Sequence, residues 1–366
     1  MDYCCLDRHM FTDELFIVLK QIGGFMNDES IELLKQFKQL PNKEKLELLR
    51  HLNSAIDHEE KAEIEISKTR NEIFNKEDIV CPHCSERDII GFGNYRGRKR
   101  YRCKACKRTF NDYTGTAVAY IHNLDKWFSY LTEMKDGHPL RYLAKKIGIS
   151  LFTSFHWRHK VLRAFKSQGY KKLEGISESD ETFFLYSEKG NRHVTGRPPR
   201  KRGGKARKRG ISSEQVAVIT TLDRKQNTIL EVAGRGRISS ENLKSKIGNW
   251  MEKDEIVLCT DSHRSYQSFA TNYGFEQKRV NVGKRQYLKD KIYHIQTVNS
   301  FHSRLKSWMK RFNGVASKYL QHYMDYFRML DVFVKKDGVS CLLNYSLISS
   351  KAFIQANLIK QQNCLT

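Results

Sequence analysis

No stretch of the sequence approaches 18 uninterrupted apolar residues, so no membrane-spanning helix is expected. The opening MDYCCLDRHMFTDE lacks the basic start and apolar middle of a secretory signal. The chain is therefore expected to stay in the cytoplasm, in company with the nucleoid. A disulfide framework is missing as well. Of nine cysteines, Cys4, Cys5, Cys259, Cys341 and Cys364 are scattered, and an odd count suits a reducing compartment. Acidic residues are absent from two long stretches, 196–210 and the whole interval between Asp290 and Asp325.

What is present is cationic. The 366 residues carry a formal charge of +24, which calls for a polyanionic partner, and nucleic acid is the usual one. An anionic membrane surface would also answer the charge, but no basic amphipathic anchor stands at a terminus. Structural RNA fits the charge as well as DNA does. The apolar fraction of 39% supports real cores, and the length suggests two to four domains.

Residues 1–75 read as a helical N-terminal region, with one apolar stripe on Leu15, Val18, Leu19 and Ile22. A second runs through Ile31, Leu34, Phe37 and Leu40, and Pro41 breaks the pattern before Leu46 resumes it. Residues 79–112 form a zinc ribbon. Cys81-Pro82-His83-Cys84 and Cys103-Lys104-Ala105-Cys106 are two CxxC knuckles whose four thiolates complete a tetrahedral site for structural Zn²⁺. The intervening GFGNYRGRKRYR reads as a β-hairpin, and Arg96, Arg98, Lys99, Arg100 and Arg102 are candidate nucleic-acid contacts.

Residues 122–168 are helical. Within them Ala144 stands four residues before Gly148, with Leu143, Ile147, Ile149 and Trp157 as the buried set. That spacing fits a helix-turn-helix with its recognition helix over about 150–165, and a plain helical hairpin fits it too. Residues 173–335 alternate strands and helices, an α/β pattern, and 336–366 read as a C-terminal tail. The insertion GRPPRKRGGKARKRG cannot pack a core. It reads as a disordered cationic loop whose Arg200, Lys201, Arg202, Lys205, Arg207, Lys208 and Arg209 tether nucleic acid.

Two aspartates occupy strand positions suited to a shared site. Asp180 lies inside ISESDETFFLY, and Asp261 follows the buried run EIVLC. Carboxylates so placed can hold Mg²⁺ or Mn²⁺ for phosphodiester chemistry, although Asp261, ahead of a helix, also suits an N-cap. The segment 293–314, YHIQTVNSFHSRLKSWMKRFNG, is an amphipathic helix. Val298, Phe301, Leu305, Trp308, Met309 and Phe312 form its apolar stripe, and Asn299, His302 and Lys306 lie on its polar side.

ESDETFF, LCTDSHRSY and the helix around Asn299, preceded by the CPHC/CKAC ribbon, resemble the zinc-ribbon insertion-sequence transposases of bacteria across about residues 79–331. The resemblance implies an RNase H-like mixed sheet with flanking helices. It implies Asp180 and Asp261 as ligands of Mg²⁺ or Mn²⁺, Asn299 at a third position usually held by Glu, and Lys306 near a phosphate. His294 and His302 could assist, though each also reads as a structural histidine. The implied reaction frees a 3′-OH at an element end and directs it into target DNA, on double-stranded DNA carrying terminal inverted repeats and with a homo-oligomer assembled on it. A DNA-binding regulator that has lost catalysis and a nuclease of the same fold are the alternatives.

Overall fold

The structure, a computed structural model, describes residues 35–48, 66–74, 79–166, 170–191, 193–194, 204–252, 254–280, 288–331 and 335–348. The chain divides into two compact units, Met1–Ala62 and Glu63–Thr366. In the first unit the described residues are helical over 35–39 and 42–48, parted at Leu40–Pro41 where proline cannot continue the preceding turn. The stripe from Leu15 to Ile22 lies outside the described residues.

The second unit begins with a helical stretch over 66–74, which the sequence grouping of 1–75 had assigned to the N-terminal region. Its Ile66 is fully buried in the main core, and Phe74 stacks near Tyr101 of the ribbon, so the stretch ties the two together. The ribbon is a three-stranded antiparallel sheet of β1 (Ile89–Tyr95), β2 (Arg98–Cys103) and β3 (Thr109–Asn111). Arg96 and Gly97 both have left-handed φ, 49° and 72°, which a two-residue hairpin turn requires.

Three helices follow, α1 (Trp127–Lys135), α2 (Leu140–Ile147) and α3 (Leu151–Lys166). Gly148 ends α2 in the left-handed conformation at φ 67°, with its N–H donating to Ala144 O, and Ser150 Oγ accepts from Thr153 N to start α3. Leu143 and Trp157 are buried and Ile147 and Ile149 partly so, and α2 and α3 pack as a helix-turn-helix-like pair.

The five-stranded sheet contains β4 (Gly175–Leu185), β5 (Gln215–Asp223), β6 (Thr228–Arg235), β7 (Ile256–Thr260) and β8 (Glu276–Arg279), in the order β6-β5-β4-β7-β8. β4, β5 and β6 are antiparallel neighbours, while β7 runs parallel to β4 and β8 parallel to β7. This is the RNase H-like sheet. The Asp223–Asn227 turn joining β5 to β6 is closed by the Asp223 carboxylate, which accepts from Asn227 N at 2.9 Å and Asn227 Nδ2 at 2.8 Å.

Alternation along the strands separates two cores. Ala217, Ile219, Ile229 and Leu258 pack with Leu243 of α4 (Ser240–Ile247) and Tyr266 and Phe269 of α5 (Arg264–Tyr273). Val216, Val218, Leu222 and Leu230 face the larger core under α6 (Gln296–Lys310) and α7 (Leu320–Met329). That larger core also takes Trp127, Leu131, Trp157, Val161 and Phe165 from α1 and α3. Phe165 stacks on Tyr326 at 5.7 Å between centroids, and Trp308 meets Tyr326 at 5.3 Å. The helix-turn-helix-like segment is therefore continuous with the domain built on the five-stranded sheet through one apolar interior.

The expectation of a tail over 336–366 needs correcting. Lys335–Leu347 form α8, whose Leu342, Leu343 and Leu347 are buried in the same core, and Trp127 Nε1 donates to Ser346 Oγ at 3.2 Å. The helix adds its leucines to the apolar cluster that holds Trp127 and Leu131 of α1 and Val161 and Phe165 of α3. Residues 349–366 lie outside the described ones.

Candidate functional site

Two places bring together groups that can do chemistry. In the ribbon, the Sγ atoms of Cys81, Cys84, Cys103 and Cys106 all lie within 4.8 Å of one another. Cys81 and Cys106 are 3.6 Å apart, as are Cys84 and Cys103. A disulfide needs about 2.05 Å, whereas four thiolates around one Zn²⁺ at about 2.3 Å would sit roughly 3.8 Å apart. The spacing fits a tetrahedral ion, and the cluster could bind zinc.

The hairpin's cations divide into two kinds. Arg98 turns inward: its Nε donates to Asp112 Oδ1 at 3.0 Å, a second nitrogen pairs with Asp112 Oδ2, and the guanidinium lies 3.4 Å from the Tyr113 ring centroid. It fastens the ribbon to the segment behind it. Arg96 and Lys99 are exposed, and Arg100 and Arg102 lie over the exposed ring of Phe92. In the cationic insertion, Lys205, Arg207, Lys208 and Arg209 are exposed, and the backbone N–H groups of Arg207 and Lys208 donate to Glu214. Arg200, Lys201 and Arg202 lie outside the described residues.

The second place is the carboxyl end of β7. Ser179 of β4 is in register with Thr260, so Asp180 and Asp261 follow at the same level on adjacent parallel strands. Burial first, then the charges of Glu181 and Asp261, push the Asp180 carboxyl up to about 7, with Lys306 acting the other way. Glu181 is likewise raised to about 7 by burial and by Asp261. Glu181 was not among the residues singled out from sequence, yet it is adjacent to Asp180 and shares its electrostatics. The chain has gathered negative charge that a divalent cation would relieve, and in that sense the donor set fits one. Among the described residues only the four cysteines bring three or more Cys, His, Asp or Glu ligand atoms within 4.8 Å, so Asp180, Glu181 and Asp261 stand farther apart. The strand's pleat explains part of this, since neighbouring residues point to opposite faces. Asp261 Oδ1 accepts from His263 N at 2.9 Å in the turn before α5, but the helix cap itself is His263. The capping role considered from sequence falls two residues later, on the histidine.

Helix α6 crosses the face of the sheet that Asp180 occupies. His302, buried on its inner side, places Nδ1 3.7 Å from Asp180 Oδ2 and Nε2 2.9 Å from Thr220 Oγ1. Burial, and then Lys306, hold its pKa near 4, so it is neutral at physiological pH. Asn299 and Lys306 sit one turn to either side of His302 on the same face, and both are exposed.

β4 and the residues that follow it hold α6 at both ends. At the start, buried Glu178 accepts from Thr297 N at 2.9 Å, Thr297 Oγ1 at 2.7 Å and Val298 N at 3.1 Å, and pairs with Arg224 at 2.6 Å. His294 Nδ1 lies 3.2 Å from the same carboxylate. Beyond the far end, Lys189 Nζ donates to the carbonyls of Phe312, Asn313 and Gly314 at 2.7–3.1 Å. A carboxylate at the N-terminus and an ammonium at the C-terminus both complement the helix dipole. The strand that carries Asp180 thus fixes the register of the helix that carries Asn299, His302 and Lys306. Glu178 was not singled out from sequence, although its two-residue offset from Asp180 places both on one face. Glu178→Ala would leave two N–H groups without their acceptor and Arg224 without its ion-pair partner, and is expected to cost on the order of 3 kcal/mol. Denaturant unfolding measures that loss, and an unchanged midpoint would show that the clamp is dispensable.

Comparison with known proteins bears on the second of these places. Residues 172–328 match the ISXO2-like transposase domain. A curated relative from Halobacterium salinarum, an uncharacterized protein in the transposable element ISH50, is 27% identical over 266 residues, covering 72% of this chain and 89% of the relative. The resemblance to insertion-sequence transposases is met by these two matches. Among solved structures, the pre-cleavage Mos1 transpososome is 11% identical with a TM-score of 0.24, covering 62% of this chain and 78% of that one. The Mos1 mariner paired end complex with Mn is 12% identical with a TM-score of 0.24, over 95% and 99% of the two chains.

Proposed function

We propose that this chain, whose residues 172–328 match the ISXO2-like transposase domain, is a DNA transposase that cuts the ends of its own insertion sequence and joins the freed 3′-OH to target DNA. The observation that supports this best is the placement of Asp180 and Asp261 at one level of adjacent parallel strands, beneath the helix bearing Asn299 and Lys306, inside the matched segment. Asp180, Asp261 and Asn299 would hold Mg²⁺ or Mn²⁺, which when bound supplies charge neutralisation and a more acidic attacking hydroxyl. Asn contributes a neutral carbonyl oxygen, so the site carries one negative charge fewer than an all-carboxylate set. Neutral His302 buttresses Asp180 from the buried side without adding positive charge. Lys306, exposed on the same face, is suited to a DNA phosphate beside the scissile one. The ribbon, with zinc on its four cysteines, and the helix-turn-helix-like pair would hold the DNA on which copies of the chain assemble.

The decisive experiment offers the purified protein a labelled duplex from the DNA flanking its reading frame, together with a supercoiled plasmid and Mg²⁺ or Mn²⁺. Label joined to plasmid is the expected product. Cleavage without joining would make the protein a nuclease, and binding without either would make it a regulator. In the same assay Lys306→Ala is expected to weaken engagement with any DNA sequence and to lower the slope of log affinity against log salt by about 1. An unchanged slope would remove Lys306 from the phosphate contacts.

A further inference from the structure

We propose that the groove at the head of α3 is a stacking site for an unpaired or unstacked DNA base, with Phe152 and Tyr120 as its platform. The proposal rests on the reading of this chain as a DNA-binding protein and adds to it how this region engages DNA. Phe152 is 74% exposed and Tyr120 79%, the most exposed large apolar residues among those described. Both line one groove of about 670 Å³, with Thr153, His156 and Trp157 among its walls.

The rings are held in place. Phe152 packs edge-on against His156, one turn along α3, with centroids 4.2 Å apart. Tyr120 has φ 60°, a left-handed conformation that a bulky residue adopts only when its surroundings impose it. Lys160 of α3 donates from its ammonium to the carbonyl of Ala119, immediately before Tyr120. α3 thus supplies one ring and holds the backbone next to the other.

Charge identifies the occupant. From Gly137 to Leu173 there is no acidic residue, and nine are Lys or Arg, with Arg141, Lys145 and Lys146 exposed on α2, the helix that ends at the groove-lining Gly148. A protein partner would have to be strongly acidic to match this surface, whereas DNA matches it with its backbone. Side-chain chemistry then separates two ways of binding DNA. A recognition helix that reads paired bases needs donors and acceptors in its first turn. Here that turn exposes Leu151 and Phe152, which offer no hydrogen bond to a base edge but can cover a base face, while the hydroxyls of Ser150 and Thr153 are 2.9 Å apart and bonded to each other.

The test compares a short labelled duplex with the same duplex carrying a few unpaired central bases, using the full chain and fluorescence anisotropy. The wild-type protein should bind the unpaired form about tenfold more tightly, the scale of one base–aromatic stack. Phe152→Ala and Tyr120→Ala should erase that preference while leaving affinity for the paired duplex little changed, and Phe152→Trp should keep it. Lys145→Gln with Lys146→Gln should weaken both duplexes alike. A 2-aminopurine among the unpaired bases should be quenched by wild type and not by Phe152→Ala. Equal wild-type affinity for the two duplexes would overturn the stacking site while leaving DNA binding intact, and binding to neither would overturn both. A shift in sedimentation caused by Phe152→Ala, with the preference preserved, would assign the groove to a second copy of the chain instead.

Discussion

Asp180→Ala and Asp261→Ala proteins are each expected to lose about 10³-fold or more of end cleavage and joining while still binding DNA. The size follows from the several kcal/mol that charge stabilisation at a metal-assisted phosphoryl transfer contributes, each 1.36 kcal/mol being a factor of ten. Binding survives because the exposed cations on the ribbon hairpin, the insertion and α2 are untouched. Both variants should fold, since each removes a carboxylate from a cluster that repels itself: Asp180 is pushed up to about 7 in part by its acidic neighbours. In the absence of metal, Asp180→Asn should even be slightly more stable than wild type at neutral pH. Retained cleavage in either alanine variant would move the active site elsewhere, and simultaneous loss of DNA binding would mean that the carboxylates are structural. Glu181→Gln is the informative companion, because it tests whether the third carboxylate tunes the pair without being part of it.

The Cys81→Ser protein should lose its bound metal and the fold of the ribbon. Structural zinc contributes apparent free energies of about 10–16 kcal/mol in small domains, far more than β1, β2 and β3 can supply from a cluster built on Phe110 and a few partly buried neighbours. Metal analysis and near-ultraviolet circular dichroism report the two losses, and the larger core should remain folded because it shares no cysteine with the ribbon. Its thermal transition should therefore persist. A chelator should reproduce the effect in the wild-type protein. Unchanged zinc content in Cys81→Ser would contradict a four-cysteine site.

Much of the architecture was legible in the sequence for local reasons. CxxC spacing is readable because one knuckle turns within four residues, and the hairpin between the knuckles closes at Arg96-Gly97, where glycine takes a left-handed φ at no steric cost. Strand limits around Asp180 and Asp261 came within a residue or two, since apolar runs bounded by turns show period and length directly. The amphipathic stripe of α6 was equally visible. What escaped were partnerships across the chain. Glu178 and Lys189, which hold the two ends of α6, are ordinary charged residues until the fold sets them against Thr297 and Phe312, more than 100 positions away. Arg98 was grouped with its neighbours as a DNA contact because alternation along a strand cannot reveal that Asp112 and Tyr113 wait on one face.

The sequence by itself determined the four-cysteine set, the two strand aspartates, the cationic excess and the absence of acid along α6, because each is a matter of residue type at short separation. Only the tertiary structure decided that α8 is a core element, that Glu181 shares the charge of the aspartate pair, that His302 is the inward neighbour of Asp180, and that Phe152 and Tyr120 meet at one groove. Those facts depend on which elements pack together to remove apolar surface from water, and that is a property of the whole chain, invisible in any single stretch of it.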